Sequence, residues 1–253
     1  MHMKRPHILV NVAMTADGKI DTTARKGATI SSKRDKARVD NLRASVDAVL
    51  VGGRTLLDED LKLTVKSAAL RAERLRKGWS ENPAKVGVMS EIPSSSTGSI
   101  PVEKEVPSKS VSSHKPLQQF LTSGPAQVFL ITTQRTSKDT LKELRARGVT
   151  TLVVGKGRVG LEGAFKALYR AGIRKMLVEG GGTLIAELFR LNLVDELTIY
   201  IAAKILGGRN APTLADGLGF LPQQAPRLGL VSVEQFDDEG GILVHYNVEK
   251  DLL

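Results

Sequence analysis

Apolar residues recur along this chain in two rhythms, one typical of strands and one typical of helices. Ile8, Val10 and Val12 occupy every second position, which predicts a strand over residues 7–13. Unbroken apolar runs predict buried strands at 47–51, 85–89, 126–132, 151–154 and 176–178. From residue 126 to 191 strands and helices alternate, as in an α/β sheet that is at least partly parallel.

Capping residues and apolar spacing predict the helices. Ser32 and Asp35 have capping-box spacing, which predicts a helix that runs to about residue 45. Ser137 opens another helix, which ends at Gly148. Further helical segments are predicted at 56–59, at 68–77, and after the strands at 151–154 and 176–178.

The last part of the chain predicts strands. These lie at 196–203, 228–236 and 242–249, and the last two form an antiparallel pair around residues 237–241. Strands of this length near the end of a chain often extend a sheet across a subunit interface. The pattern therefore permits a dimer.

Two of the predicted strands end in glycine-rich bends that lead into helices. One is Gly180–Gly182 followed by Thr183 and Leu184, and the other is Gly52-Gly53 followed by Arg54 and Thr55. Glycine lets another molecule approach the main chain, and the free N–H groups of a helix start favour an anion. Two such bends at the carboxyl edge of a sheet would suit a dinucleotide, with a 2′-phosphate near Arg54. The alternative is a helix entry that merely needs small residues.

Polar residues accompany these bends. Glu179 ends the strand before the triple glycine, where it would face a bound ligand. Asn11 and Ala13 lie opposite the apolar face of the first strand, where a flat ring could lie against them. Arg43, near the end of a basic helix, either aims inward or belongs to a solvated face.

Composition narrows the choice of function. The net charge is +10, from 37 Lys and Arg against 27 Asp and Glu, which suits nucleic acid or small polyanionic ligands. Aromatic residues make up only 4%, so phosphorylated small molecules fit better than stacked bases. There is no cysteine, and the four histidines are scattered, so no metal site is expected. The longest apolar runs are too short to span a membrane, and a cytoplasmic protein is expected.

Residues 90–125 differ from the rest of the chain. They contain five prolines and ten serines among 36 residues. We interpret them as a long, partly irregular insertion in a single domain of residues 1–253, with short edge strands left open.

Four segments in the same order resemble a known family. They are VNVAMTADGKI from residue 10, VGGRTLLDEDLKLTVK from 51, VEGGGTL from 178 and VDELTIYIAAKILGG from 194. Together they are similar to the reductase of riboflavin biosynthesis, which is fused to a deaminase in many bacteria and stands alone in archaea and fungi. The resemblance implies a dihydrofolate-reductase-like fold, with a mixed central sheet and flanking helices, and a homodimer. Because this sequence has no cysteine, we do not expect it to contain the zinc deaminase.

The resemblance also implies a reaction. NADPH, with NADH as an open alternative, would reduce 2,5-diamino-6-(5-phosphoribosylamino)pyrimidin-4(3H)-one to its ribitylamino form. Whether the amino-bearing or the deaminated pyrimidine is used stays open. Two other hypotheses are a dihydropterin or dihydrofolate-type reductase of the same fold and a basic nucleic-acid-binding protein without catalysis.

Site residues carry over position by position. Cofactor contacts are expected at Ala13, Thr29, Thr55, Glu59, Ser90 and the segment from Gly181 to Glu187, which begins Gly181, Gly182, Thr183 and Leu184; to these we add Arg54 and Gly155. Substrate contacts are expected at Gly27, Arg43, Leu63, Lys66 and Glu179, to which we add Asn11. Arg43 and Lys66 would hold the substrate phosphate. The proton source is expected among Glu179, Asp60, Asp17 and water. The chain departs from the family pattern at Glu59, Leu61 and Met89, where aspartate, proline and aspartate are usual.

Overall fold

The computed structural model describes residues 4–94 and 117–250. Its strands are β1 (His7–Thr15), β2 (Ala48–Gly52), β3 (Ala84–Val88), β4 (Val128–Thr132), β5 (Thr150–Val153), β6 (Lys175–Val178), β7 (Glu196–Ala202), β8 (Leu228–Gln235) and β9 (Ile242–Val248). Its helices are α1 (Lys33–Ala44), α2 (Gly53–Glu59), α3 (Ala68–Arg76), α4 (Gln118–Thr122), α5 (Lys138–Ala146), α6 (Leu161–Arg170) and α7 (Gly182–Arg190). No helix within the described ranges is both long and apolar enough to cross a membrane.

All nine strands belong to one sheet in the order β5-β4-β3-β2-β6-β1-β7-β9-β8. Neighbours from β5 through β7 are parallel, whereas β9 is antiparallel to both β7 and β8. The predicted mixed sheet and the terminal antiparallel pair are therefore confirmed. Because β1, β2, β3 and β6 run in the same direction, their carboxyl ends meet at one edge.

A hydrophobic layer covers each face of the sheet. On one face, Phe165 of α6 and Leu188 of α7 pack against β-strand residues such as Val10 and Val178. On the other, Leu56 and Phe120 pack against residues such as Leu9, Val49 and Leu177. Successive residues of each strand therefore pack alternately into the two hydrophobic layers, as expected for a sheet buried on both sides.

Helix α1 differs from the other helices because its buried residues are acidic. Ser32 caps it by accepting a hydrogen bond from the backbone N–H of Asp35 (3.1 Å), as the sequence predicts. Asp35 and Asp40 are its buried residues. The inward face of α1 is therefore polar, as expected for a helix that borders a charged cleft and not the hydrophobic core.

The predicted insertion at 90–125 requires a correction at its far end. Residues 117–125 belong to the folded core, because the Phe120 side chain in α4 is fully buried. The Asp60 carboxylate accepts the N–H groups of Gln119 (2.9 Å) and Phe120 (3.1 Å), and the buried Lys85 Nζ donates to the carbonyls of Phe120 and Ser123. Residues 95–116 of the expected insertion lie outside the described residues.

Candidate active site

A cleft of about 670 Å³ opens where the carboxyl ends of β1, β2, β3 and β6 meet. This is the position in which parallel α/β sheets bind ligands. Its walls include α1, the start of α2 and the start of α7. Most residues predicted as contacts line it: Asn11, Ala13, Gly27, Thr29, Arg43, Arg54, Thr55, Glu59, Lys66, Ser90, Glu179, Gly181, Gly182, Thr183 and Leu184.

The triple-glycine bend forms one wall of the cleft. Gly180 has φ +134°, a value that favours glycine, and the Gly180–Gly181 peptide bond is cis. A Cβ atom on Gly181 would lie 2.8 Å from Thr55 Oγ1. Within the described residues, the N–H groups of Gly182 and Thr183 donate to no protein acceptor. The start of α7 therefore offers free amides on a surface that an anion can approach closely.

The second glycine bend contributes differently from the prediction. The Gly52 N–H is already used, because it donates to the Gly180 carbonyl (2.9 Å). Gly53 has no room for a side chain, since a Cβ atom would lie 2.4 Å from Met89 Cβ. This bend thus packs the two loops together, and its contributions to the cleft include the side chains of Arg54 and Thr55.

An ion pair joins the two sides of the cleft floor. Arg43 Nε and Nη2 each donate to one oxygen of Glu179 (both 2.6 Å), and Arg43 Nη1 donates to the Thr64 carbonyl (3.1 Å). Burial disfavours the guanidinium, but the Glu179 charge outweighs it and raises the pKa of Arg43. Arg43 does aim inward, and its charge is shared with Glu179, so a substrate phosphate would need further cations.

Lys66 and Lys36 are such cations. Asp40 fixes the backbone next to Lys66 by accepting the N–H groups of Lys66 (2.7 Å) and Ser67 (2.8 Å). Lys36 lies on α1, and both lysine side chains line the cleft. With Arg43, they are the cations of the pocket on the α1 side of the cleft, whose lining also includes the acids Asp40 and Glu179.

Three carboxyl groups lie close together at another part of the cleft wall. Burial, together with the nearby charges of Asp21 and Asp58, raises the pKa of Glu59 to about 7. Burial also raises the pKa of Asp58, although Arg54 and Arg25 oppose the shift. The nearest Glu59 oxygen is 3.1 Å from where a Cβ of Gly27 would stand, so glycine at 27 leaves room for this carboxyl. Glu59 can therefore hold a proton near neutral pH.

Because the pKa of Glu59 is raised, we expect the free energy of unfolding to depend on pH. Its pKa of about 7 lies above the ordinary 4.5, so the folded chain binds more protons than the unfolded chain between these values. This contribution is complete at low pH and is lost as the pH rises through about 7. We expect Glu59→Gln to raise the free energy of unfolding by about 1–2 kcal/mol near pH 8, a value reduced because solvent screens a partly exposed carboxyl.

Denaturant unfolding at several pH values measures this effect. The curves of wild type and variant should converge near pH 4 and separate as the pH rises. Glu239→Gln, at an exposed loop position, is the matched control and should not change the pH dependence. Equal stability of wild type and Glu59→Gln near pH 8 would contradict the expectation.

Three predicted site residues do not line the cleft. Asp60 follows α2 with φ +43° and its carboxylate caps α4, so the structure does not support a catalytic role. The Leu63 side chain is 1% exposed and belongs to the core. Gly155 has φ +102° and faces the Arg158 carbonyl, which a Cβ would approach to 2.1 Å, so it shapes a turn.

Asp17, a further candidate proton source, is also outside the cleft lining. Its carboxylate accepts from Thr15 Oγ1 (2.5 Å) and from the N–H groups of Leu206 and Gly207. The hydrogen bond from Thr15 comes first among the causes that lower the pKa of Asp17 to about 2. Asp17 therefore anchors the loop after β7.

Sequence reasoning missed several charged residues of the cleft: Asp21, Arg25, Lys36, Asp40, Asp58, Arg158 and Asp216. Helical spacing could have found two of them, because Lys36 and Asp40 share a face with Arg43. Nothing in the sequence indicated that Asp216 would approach Gly182. Among the described residues, no group of three His, Asp or Glu side chains could hold a metal ion.

A mixed sheet whose seven parallel strands carry, at their carboxyl edge, a cleft lined by glycines and charged side chains has the dihydrofolate-reductase-like α/β fold, and the chain is an oxidoreductase of this fold. The chain belongs to the RibD C-terminal domain family, whose model matches residues 6–240. The resemblance found in the sequence motifs is thereby confirmed.

Two curated relatives are similar over most of their length. The 2,5-diamino-6-ribosylamino-4(3H)-pyrimidinone 5′-phosphate reductase of Archaeoglobus fulgidus is 37% identical over 217 residues, which cover 86% of this chain and 89% of that protein. The protein of the same name from Methanothermobacter thermautotrophicus is 31% identical and covers 97% of this chain and 99% of its own.

Solved structures agree on the fold. Acinetobacter baumannii RibD has a TM-score of 0.71 and 21% identity; the match covers 97% of this chain but only 58% of that longer one. A pyrimidine reductase-like protein from Corynebacterium diphtheriae has a TM-score of 0.69 and 21% identity, covering 97% of this chain and 93% of its own. The predicted fold is confirmed.

Proposed function

We propose that this chain is the reductase of riboflavin biosynthesis that converts 2,5-diamino-6-(5-phosphoribosylamino)pyrimidin-4(3H)-one to its ribitylamino form, with NADPH as the reductant. The observation that carries the proposal is the 37% identity, over most of both chains, to the A. fulgidus reductase of that name. The cleft supports it, because the free amides at the start of α7 and the cations Lys36, Lys66 and Arg43 line the same cleft.

The cofactor is a nicotinamide nucleotide, and the residues at the start of α7 fit one. The free amides of Gly182 and Thr183 would bind its pyrophosphate, and the absence of a side chain at Gly181 lets the Thr55 hydroxyl lie close to the same bend. Arg54 and Arg158 are the cations that favour NADPH over NADH, since either could bind a 2′-phosphate. When bound, the cofactor supplies the hydride.

The pocket on the α1 side of the cleft would hold the pyrimidine substrate. The substrate phosphate would bind Lys36, Lys66 and Arg43. Glu179 neutralises part of this positive charge, and the phosphate would neutralise the rest. The protein contributes mainly orientation, because the reacting carbon must face the nicotinamide ring.

Reduction of the open-chain imine adds one hydride to C1 and one proton to nitrogen. Glu59 lines the cleft and keeps its proton near neutral pH because burial raises its pKa. We infer that Glu59 is the proton source and that Glu179, whose two oxygens both accept from Arg43, is a positioning group.

A turnover assay tests the proposal. The absorbance of NADPH, and separately of NADH, is followed after addition of the diaminopyrimidine substrate, its deaminated form or a dihydropterin. We expect the fastest loss of absorbance with NADPH and one of the two phosphoribosylaminopyrimidines. Turnover of the dihydropterin alone, or salt-sensitive RNA binding without any cofactor affinity, would replace the proposal with one of the two alternatives.

We also infer that the chain is a homodimer that pairs through β8. This edge strand exposes Leu230 (60%), Val231 (51%) and Val233 (59%). An apolar edge strand of this kind invites pairing with a second chain, and such strands are usually protected by charge or by a partner.

Charges on β8 should separate the subunits. We expect Leu230→Lys with Val233→Lys to shift the mass measured by light scattering from dimer to monomer, because buried lysines would lose hydration. Val153→Lys, at the opposite edge strand β5 and 40% exposed, is the control and should stay dimeric. A monomeric wild type, or a dimeric double variant, would refute this interface.

A further inference from the structure

Asn11 is a buried polar residue in the wall of the cleft. It follows Val10, which pairs with Val178, so Asn11 lies beside Glu179 at the next position of the parallel strands β1 and β6. Only 5% of Asn11 is exposed, and it lines the cleft. The orientation of its amide therefore decides which chemical group this part of the wall presents.

Arg38 decides that orientation. Its Nη2 donates to Asn11 Oδ1 (2.7 Å), and its Nε and Nη2 both donate to Asp35 Oδ1 (2.9 and 2.7 Å). A guanidinium has donors only, so the atom of Asn11 that faces it must be the amide oxygen. Arg38 itself does not line the cleft, which makes it a positioning residue.

The Arg38–Asp35 ion pair is better suited to orienting Asn11 than to stabilising the fold. Asp35 is fully buried, and its Oδ2 is the buried side-chain atom without a hydrogen-bond partner among the described residues. A buried ion pair that leaves one oxygen unsatisfied is a poor source of stability. Its structural consequence is a fixed guanidinium, which holds Asn11.

With its oxygen held, Asn11 turns its other amide atom outward. Asn11 Nδ2 donates to no acceptor in the part of the chain that the structure describes, yet it is not a buried unsatisfied atom, so it is open to the cleft. Because Nδ2 carries two N–H groups and no lone pair to share, it can bind only an acceptor.

We propose that Arg38, anchored by Asp35, locks Asn11 as a hydrogen-bond donor that selects a carbonyl oxygen of the substrate's pyrimidinone ring. This inference rests on the proposed function. It assigns Arg38 a role in specificity from a position behind the cleft wall. An amino group at the same ring position would meet two donors and be rejected.

Two variants test the arrangement by different means. Asn11→Asp keeps the shape and still accepts from Arg38, but it replaces the donor by an oxygen. Asp35→Asn with Arg38→Met removes both buried charges together, so no unpaired carboxylate remains to unfold the protein. Arg34→Met, an exposed arginine on the same helix that stacks on Phe236, is the matched control.

Steady-state kinetics give the readout. We expect the KM for the pyrimidine to rise about thirtyfold in Asn11→Asp and about tenfold in Asp35→Asn/Arg38→Met, with the KM for NADPH unchanged. In an Asn11→Leu background, Asp35→Asn/Arg38→Met should cost little more, since Arg38 acts through Asn11 and leucine leaves no carboxylate unpaired. Arg34→Met should match wild type in both constants.

Other outcomes overturn the inference separately from the proposed function. An active wild type with an unchanged pyrimidine KM in Asn11→Asp leaves the reductase assignment intact and refutes the donor role. Fully additive losses, or equal rises in both KM values, show that Arg38 is merely structural. A wild type that neither binds nor reduces the pyrimidine refutes both.

Discussion

Replacement of Gly182 by alanine is expected to weaken NADPH binding by about thirtyfold, which corresponds to about 2 kcal/mol. A Cβ atom at this position would lie 2.3 Å from the Thr213 carbonyl oxygen and 2.8 Å from Asp216 Oδ2. The Asp216 N–H donates to the Gly182 carbonyl (3.2 Å), so the loop and the helix start would have to move apart. The free amides at the start of α7 would then lose their arrangement.

Isothermal titration calorimetry with NADPH measures the loss. Unfolding in denaturant should show a smaller decrease in stability, about 1–3 kcal/mol, as overpacking usually causes. Gly157→Ala is the matched control, because a Cβ there would meet no atom within 4 Å and the residue has no positive φ. Wild-type affinity in Gly182→Ala would show that α7 does not bind the cofactor.

Replacement of Arg43 by methionine is expected to give the largest combined loss. Arg43 and Glu179 have side chains that are only 15% and 11% exposed, so removal of one leaves the other as an uncompensated charge. Removing one partner of a buried pair is strongly destabilising, and we expect about 2–4 kcal/mol here. The kcat/KM for the pyrimidine should fall by about a hundredfold or more, because a phosphate contact and the anchor of Glu179 disappear together.

A second variant separates stability from activity in this pair. Arg43→Met with Glu179→Leu should recover most of the stability in denaturant unfolding, since no buried charge remains, but it should not recover turnover. Arg190→Met removes the equivalent partner of Glu187 in an exposed pair, where the arginine side chain is 58% exposed, and should cost at most about 0.5 kcal/mol. Recovery of turnover in the double variant would contradict a functional role for Arg43 and Glu179.

Adjacent residues show where sequence reasoning reached its limit. Glu59 and Asp60 follow one another at the end of α2, and both are acids in a motif of the family. Glu59 faces the cleft and keeps a proton, whereas Asp60 adopts φ +43° and caps α4. Asp60 adopts a left-handed backbone conformation and Glu59 a helical one, so their side chains point in different directions. The amino-acid sequence does not indicate this change.

The glycine bends illustrate the same division. Their positions followed from strands that end in glycine, and they lie at one sheet edge as parallel strands require. Only the structure revealed that Gly52 donates to Gly180, so one bend supports the other. The amides expected to be free in both bends are therefore not equivalent.

The nine strands, six of the seven described helices and the glycine bends follow from the amino-acid order alone, because periodicity and capping act between residues close in the chain. The four motifs indicated the family and, through it, the mixed sheet. Helix α4 was not predicted, because its start depends on the remote Asp60 carboxylate. The tertiary structure decided the pairing of Arg43 with Glu179, which lie 136 positions apart, the protonation of Glu59 and the hold of Arg38 on Asn11. Such pairings depend on how helices pack on the sheet, and distances between groups remote in the chain are determined only when the whole core has formed.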